Sequence, residues 1–114
     1  MEVKKLINMQ SDLGELVYLK DSDIHGIGLF AKQDILKDTF IHYTHGYHPR
    51  YKDWVNLVPN CKYNHSKENE NCEIIIEEKT MKMVASKNIN KGKELLVDYT
   101  KNEILEQPQE EWIK

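Results

Sequence analysis

The feature of this 114-residue chain that most constrains its fold is a short pattern that occurs twice. Residues 30–38 (FAKQDILKD) and 84–92 (VASKNINKG) match in register: an apolar residue, Ala, two polar residues, Asp or Asn, Ile, one further residue, Lys and a turn former. Each copy is typical of a strand end, one helical turn and a tight turn. Because a stacked repeat array needs at least three units, the pattern predicts two related corners of one β-rich domain.

Short strand patterns fill most of the remaining chain. Alternating, β-branched or aromatic stretches predict strands at residues 15–20, 39–43, 73–77, 80–85 and 93–99, with a hairpin between the third and fourth. Residues 44–63 contain two prolines and no clear period, and we interpret them as a loop. Without a long amphipathic helix, the predicted fold class is mostly β, in one domain with a single core.

The composition limits the kinds of partner and the cellular compartment to expect for this chain. The formal net charge is −3 with both signs interspersed, which argues against nucleic acid as the main partner. No apolar run reaches the roughly 18 residues of a membrane span, and the N-terminus lacks the apolar segment of a signal peptide, so no membrane association is expected. Cys61 and Cys72 are too few for a disulfide scaffold, which favours an intracellular setting, cytoplasmic or nuclear.

Three further stretches carry candidate chemistry: His25-Gly26-Ile27-Gly28, Asn64-His65-Ser66 and residues 94–99 (ELLVDY). The two glycines let the backbone turn tightly and approach a ligand. They do not form a dinucleotide fingerprint, because the third glycine is missing and the segment runs into a strand. Alone, Asn-His-Ser predicts only a turn that enters a strand.

In this order and spacing, the three stretches resemble the SET domain of protein lysine methyltransferases. The resemblance includes the two corners and covers residues 15–100, with residues 1–14 as a lead-in and 101–114 as a tail. It implies small curved sheets with short helical turns, in which the strand at 94–99 is threaded beneath Asn64 and His65 as a C-terminal pseudoknot. Trp112 in the tail is expected either to pack over the active site or to anchor the tail on the sheet.

The resemblance also implies S-adenosylmethionine as the cofactor, cradled by the main chain of the glycine loop and by backbone and amide hydrogen bonds of Asn64 and His65. Tyr99 would face the lysine channel as the main catalytic residue, and Tyr43, preferred over Tyr47, would supply a second channel tyrosine. The residues assigned to cofactor binding are His25, Gly26, Ile27, Gly28, Asn64, His65 and Tyr99.

The implied reaction is an in-line attack of a neutral lysine amine on a sulfonium methyl group, so the protein mainly aligns two reactants and needs no metal. A partly dry channel beside the cationic sulfonium lowers the pKa of the amine by desolvation and like charge. The histidines at 42, 45 and 48 could suggest a metal site, but their spacing in a strand does not put all three on one face. Around Cys61, His65 and Cys72 no fourth zinc ligand stands out.

The expected partner is a lysine-containing protein such as a histone tail, and a homodimer could extend the small substrate surface. The acidic tail is either a solvated face or an attraction for a basic substrate. The chain departs from the common family pattern after Ser66, where five residues precede Cys72 and the usual proline is missing. This departure leaves one alternative function: a catalytically silent SET-like module that binds a protein partner.

Overall fold

The computed structural model describes residues 14–101. The predicted lead-in, the acidic tail and Trp112 lie outside the described residues. Within the described range the chain forms eight strands and a short 3₁₀ helix: β1 (Val17–Asp21), β2 (Ile27–Ala31), β3 (Phe40–His48), β4 (Asp53–Asn56), β5 (Asn64–His65), β6 (Cys72–Glu77), β7 (Thr80–Ala85), β8 (Leu96–Val97) and the 3₁₀ helix Tyr99–Lys101.

The strands form two sheets. β1 and β2 pair antiparallel as a two-stranded sheet, and the other six follow the order β4-β3-β7-β6-β8-β5. The predicted hairpin is present: β6 and β7 pair from Cys72 opposite Ala85 to Glu77 opposite Thr80. The predicted mostly-β fold class is therefore confirmed, and within the described range no helix is long and apolar enough to cross a membrane.

The loop predicted for residues 44–63 is wrong in its first part. β3 continues to His48, and β4 folds back against it. The continued strand pairs with β7 on one side, where Gly46 lies opposite Thr80, and with β4 on the other, where it lies opposite Val55. Pairing on both sides satisfies the backbone of a segment whose own strand pattern is weak, which is a tertiary effect.

The two copies of the repeated pattern meet at their isoleucines. Ile35 and Ile89 form a β-bridge in which each backbone N–H donates to the carbonyl of the other, at 2.8 and 2.7 Å. Both side chains are 2 % exposed and belong to the main core cluster. The corners predicted from the repeat thus pack directly on each other, but the helical turn predicted in each is wrong: a bend and the isoleucine bridge stand in its place.

Side chains repeat this exchange on the outside of the corners. Asp34 Oδ1 accepts the backbone N–H of Lys91, and at the equivalent positions Asn88 Oδ1 accepts the backbone N–H of Lys37; both bonds are 2.8 Å long. These bonds explain why Asp or Asn stands at this position of the pattern. The side chain in each copy closes the turn of the other copy.

The chain crosses over itself near its C-terminal end. β8 lies parallel to β5 on one side and β6 on the other, so the connection at residues 66–71 must pass over it. That connection is bonded to the strand beneath: Ser66 N–H donates to Val97 O, and Asn71 N–H donates to Leu96 O, both at 3.0 Å. This crossing is the predicted pseudoknot, although only Leu96 and Val97 of the predicted strand 93–99 form regular strand.

The core lies between the two sheets and the corners. Its largest fully buried side chains come from β1, β2, β3, β6, β7, the first corner and the lead into β8: Val17, Leu29, Ile35, Thr44, Cys72, Met81, Met83 and Leu95. Because the cluster contacts the lead into β8, burial of this core also holds the crossing in its position.

Candidate functional site

A cavity of about 580 Å³ opens where the glycine loop, the segment around β5 and the 3₁₀ helix meet. Its volume lies within the roughly 300–1,000 Å³ that is usual for small-molecule sites. Its lining consists of Asp21, Ile24, His25, Gly26, Ile27, Cys61, Lys62, Tyr63, Asn64, His65 and Tyr99. Three segments that are distant in sequence thus contribute to one site.

The glycine loop turns at Gly26, which has a φ of +49° and no atom within 4 Å of where a Cβ would stand. Ser22 N–H donates to Gly26 O at 2.8 Å, and Ser22 Oγ accepts the N–H of Ile24 at 3.0 Å. These bonds close the loop on itself. The left-handed conformation favours glycine, and the missing side chain leaves backbone exposed on the cavity wall.

Gly28 has a different role from Gly26 and does not line the cavity. A Cβ at Gly28 would collide with Oε2 of Glu94 and would stand 3.0 Å from Nδ2 of Asn64. The glycine therefore makes space for a carboxylate packed behind the cavity wall. From the sequence, Glu94 belongs to the candidate stretch 94–99 but receives no role of its own.

His65 is buried at the base of the cavity and holds Tyr99. The backbone N–H of Tyr99 donates to His65 Nδ1 at 3.0 Å, and the two rings lie 5.1 Å apart. Because Nδ1 accepts this bond, the ring proton of neutral His65 belongs on Nε2. Asp98 Oδ1 lies 4.0 Å from the same nitrogen.

Asp98 caps the 3₁₀ helix that carries Tyr99. Its Oδ1 accepts the N–H and the hydroxyl of Thr100, at 3.0 and 2.5 Å. Burial acts to raise the pKa of the Asp98 carboxyl, but the two bonds from Thr100, with attraction from His65 and Lys101, outweigh it and hold that pKa below its usual range. The cap therefore stays ionised at neutral pH.

The Tyr99 hydroxyl donates to the backbone carbonyl of Tyr63. The two rings meet edge to face, with centroids 5.7 Å apart and planes at 87°. Burial, followed by the nearby Tyr99 and Cys61, raises the pKa of the Tyr63 phenol far above its usual value, so Tyr63 remains neutral. Tyr99 is thus oriented at both its backbone and its hydroxyl.

Tyr43 lies outside the cavity lining, and its proposed catalytic role stays a prediction. Its side chain is 45 % exposed on β3 and packs edge to face on Phe40 at 5.1 Å. Its carbonyl accepts Asn60 Nδ2 at 2.9 Å. Tyr47 instead packs on Trp54, with ring centroids 5.5 Å apart.

The three spaced histidines lie along β3 in different environments. His42 donates from Nε2 to the carbonyl of Asn60 at 3.0 Å, while His45 Nδ1 bonds the Thr44 hydroxyl at 2.8 Å. Burial lowers the pKa of both rings, to about 4 for His42. Between residues 14 and 101, no group of three or more His, Cys, Asp or Glu side chains is arranged to hold a metal ion.

Part of the sequence is similar to a known protein domain. The family model of the SET domain matches residues 45–100. No curated protein sequence matches the chain.

Solved structures agree with the family model. A candidate histone methyltransferase from Plasmodium falciparum has 22 % identity and a TM-score of 0.64, covering 75 % of this chain and 93 % of its own. The methyltransferase domain of human PR domain-containing protein 2 has 21 % identity and a TM-score of 0.62, covering 83 % and 84 %. The Polycomb Repressive Complex 2 of Chaetomium thermophilum, bound to S-adenosylmethionine, has 24 % identity and a TM-score of 0.60, covering 77 % and 15 %. At these identities the structures establish the shared fold: this chain has the fold of SET domains, and its residues 45–100 match the SET-domain family model.

Proposed function

We propose that this chain is an S-adenosylmethionine-dependent protein lysine N-methyltransferase. The observation that carries the proposal is the single cavity that gathers the loop at residues 25–27, Asn64 with His65, and Tyr99. These groups are among those that the resemblance to lysine methyltransferases implies for cofactor and channel; Gly28 and Tyr43, which it also implies, lie outside the lining. The similar solved structures also support the proposal: two are described as methyltransferases, and a Polycomb Repressive Complex 2 is bound to S-adenosylmethionine.

The cavity suits a methyl donor of this type. Its volume accepts a nucleoside-sized ligand, and the bare backbone at Gly26 allows close approach. Asp21 and Lys62 are among the lining residues, and their opposite charges suit a ligand that carries both an amine and a carboxylate. When bound, the donor supplies an electrophilic methyl group on a sulfonium.

Tyr99 is the proposed catalytic residue. Because its proton is donated to the Tyr63 carbonyl, its oxygen is held as an acceptor, able to orient a lysine N–H or a polarised methyl C–H. His65 and the Asp98 cap keep the backbone of Tyr99 in register with the cavity. Such orientation is the main contribution that a two-reactant displacement requires from a protein.

The proposed substrate is a lysine-containing protein, with histone tails as the first candidates. Tyr43 is proposed as the second channel tyrosine, because its exposed ring on β3 is available to a bound chain. A homodimer is proposed to extend the substrate surface of so small a domain. Two free cysteines, Cys61 and Cys72, suit an intracellular setting, cytoplasmic or nuclear.

The test is transfer of labelled methyl from S-adenosylmethionine into histones and into a cell lysate, with lysine identified as the acceptor by mass spectrometry. We expect wild type to methylate lysine and Tyr99→Phe to be slower by about 100-fold, since one positioned hydroxyl that acts on the transition state contributes on this order. Tyr51→Phe is the matched control, because Tyr51 is 70 % exposed and outside the cavity. It should keep wild-type activity.

Two outcomes contradict the proposal. Equal rates for Tyr99→Phe and wild type would remove Tyr99 from the chemistry. Folded wild type that binds S-adenosylmethionine but methylates no protein would favour the catalytically silent binding module.

A further inference from the structure

The carboxylate of Glu94 joins three segments behind the cavity wall. Its Oε2 accepts a hydrogen bond from Asn64 Nδ2 at 2.7 Å. The Ser22 hydroxyl lies 2.7 Å from Oε1 and 2.9 Å from Oε2. The ion pairs between described residues do not include Glu94. Hydrogen-bond donors from the glycine loop and from β5 therefore hold this partly buried carboxylate.

The backbone around Glu94 fixes where its carboxylate can go. Glu94 forms an antiparallel bridge with Phe30, and Leu95 N–H donates to Leu29 O at 2.8 Å. Asn71 Nδ2 donates to the Glu94 carbonyl at 2.9 Å. The Glu94 side chain then occupies the space left by the missing side chain of Gly28. This space is the seat of the Glu94 carboxylate.

This seat decides the orientation of the Asn64 amide. Oε2 of Glu94 accepts a hydrogen bond from Nδ2 of Asn64, so the amide nitrogen of Asn64 faces Glu94 and its Oδ1 faces elsewhere. The same carboxylate also engages Ser22, whose Oγ accepts the Ile24 N–H within the glycine loop. Glu94 thus orders two parts of the cavity wall at once.

We propose that Glu94 is a positioning residue whose carboxylate, through the Asn64 amide and the Ser22 hydroxyl, presets the cavity for its ligand. This inference rests on the proposed function, because it takes S-adenosylmethionine as that ligand. Glu94, Asn64 and Ser22 together form a clamp. It raises the affinity for the ligand because it orders the binding groups before the ligand arrives.

The decisive variant is Glu94→Gln, which keeps the shape of the Glu94 side chain. Its amide group can offer either a donor or an acceptor to Asn64, so the side-chain amide of Asn64 is no longer held in one orientation. Ser22→Ala removes the second arm of the clamp, and Glu73→Gln, at an exposed position of β6, is the control for loss of one charge. Full-length chains are compared by calorimetric titration with S-adenosylmethionine, by thermal unfolding without ligand, and by NMR of the Asn64 side-chain amide.

We expect the Kd for S-adenosylmethionine to rise about tenfold in Glu94→Gln and about threefold in Ser22→Ala, with Glu73→Gln within twofold of wild type. The Asn64 amide signals should shift in Glu94→Gln, which loss of stability alone does not produce in a folded protein. A wild-type Kd in either folded clamp variant would overturn the proposal, and if Glu94→Gln does not fold, Ser22→Ala decides.

Failure of the proposed function is recognised separately. If wild type does not bind S-adenosylmethionine, that function fails, and the NMR comparison then judges the clamp. Unchanged Asn64 amide signals in Glu94→Gln would overturn it, whereas shifted signals with faster amide exchange would support it.

Discussion

Glycines in this domain serve two distinct physical needs. Gly26 adopts a positive φ where nothing crowds it, whereas Gly28 is required by the closeness of the Glu94 carboxylate. Gly46 on β3 has neither feature: its φ is not in the left-handed region, and no atom lies within 4 Å of its Cβ position. Substitution of these glycines is therefore expected to reduce the stability of the fold by different amounts.

Gly28→Ala is expected to lower the free energy of unfolding by about 1–3 kcal/mol, because the added methyl group must displace the Glu94 carboxylate from its seat. Gly46→Ala should change it by less than about 0.5 kcal/mol. Urea denaturation of both variants measures the difference. Equal values would show that the close approach at Gly28 relaxes without cost.

At the scale of elements, the two corners form a reciprocal pair. Each isoleucine bridges the other, and each polar side chain caps the opposite turn, so neither corner is complete alone. The third shared feature is backbone conformation: Asp38 and Gly92 occupy equivalent positions with φ of +71° and +87°. The repeat in sequence thus reflects a repeat in hydrogen bonding.

We predict that Asp34→Ala and Asn88→Ala destabilise the domain by similar amounts, about 0.5–1.5 kcal/mol each, because each removes one equivalent bond to a backbone N–H. Asn90→Ala is the control, since Asn90 lies in the same corner as Asn88 and is exposed. Its side chain makes no hydrogen bond to a described residue. Chemical denaturation of the three variants tests this. A loss confined to one corner would contradict the reciprocal pairing.

At the scale of the whole molecule, one partly buried histidine contributes to the response of stability to acid. His42 donates from Nε2 to the carbonyl of Asn60, and burial lowers its pKa from 6.5 to about 4. Its Nδ1 is buried without a hydrogen-bond partner in the described part of the chain. A proton on that nitrogen would therefore be unpaired in the folded protein, while the unfolded chain accepts it freely.

The sign of the effect follows from this difference. Between pH 6.5 and about 4 the unfolded chain binds more protons at His42 than the folded one, so stability falls as the pH falls through this window. The slope from this group reaches at most about 1.4 kcal/mol per pH unit. His42→Gln should flatten the acid branch of the stability curve, measured by urea denaturation from pH 7.5 to 4.5. Parallel curves for the two proteins would contradict the role of His42.

The sequence alone determined the class of fold and most of the cavity. Strand alternation and the repeat depend on local chemistry, which is why the hairpin, the corners and the mostly-β class are predictable from the printed residues. The glycine loop, Asn64 with His65, and Tyr99 were recognisable as motifs, and they do share one cavity. Their chemical roles remain proposals.

Only the tertiary structure decided what lies behind that cavity. The seat of Glu94 depends on Gly28 and on strands brought together by the crossing of β8 beneath residues 66–71, and no local pattern encodes such an approach. The extension of β3 and the existence of β4 depend likewise on pairing between segments. Local preferences act over a few residues, whereas burial and hydrogen bonding between distant segments are settled when the whole core assembles.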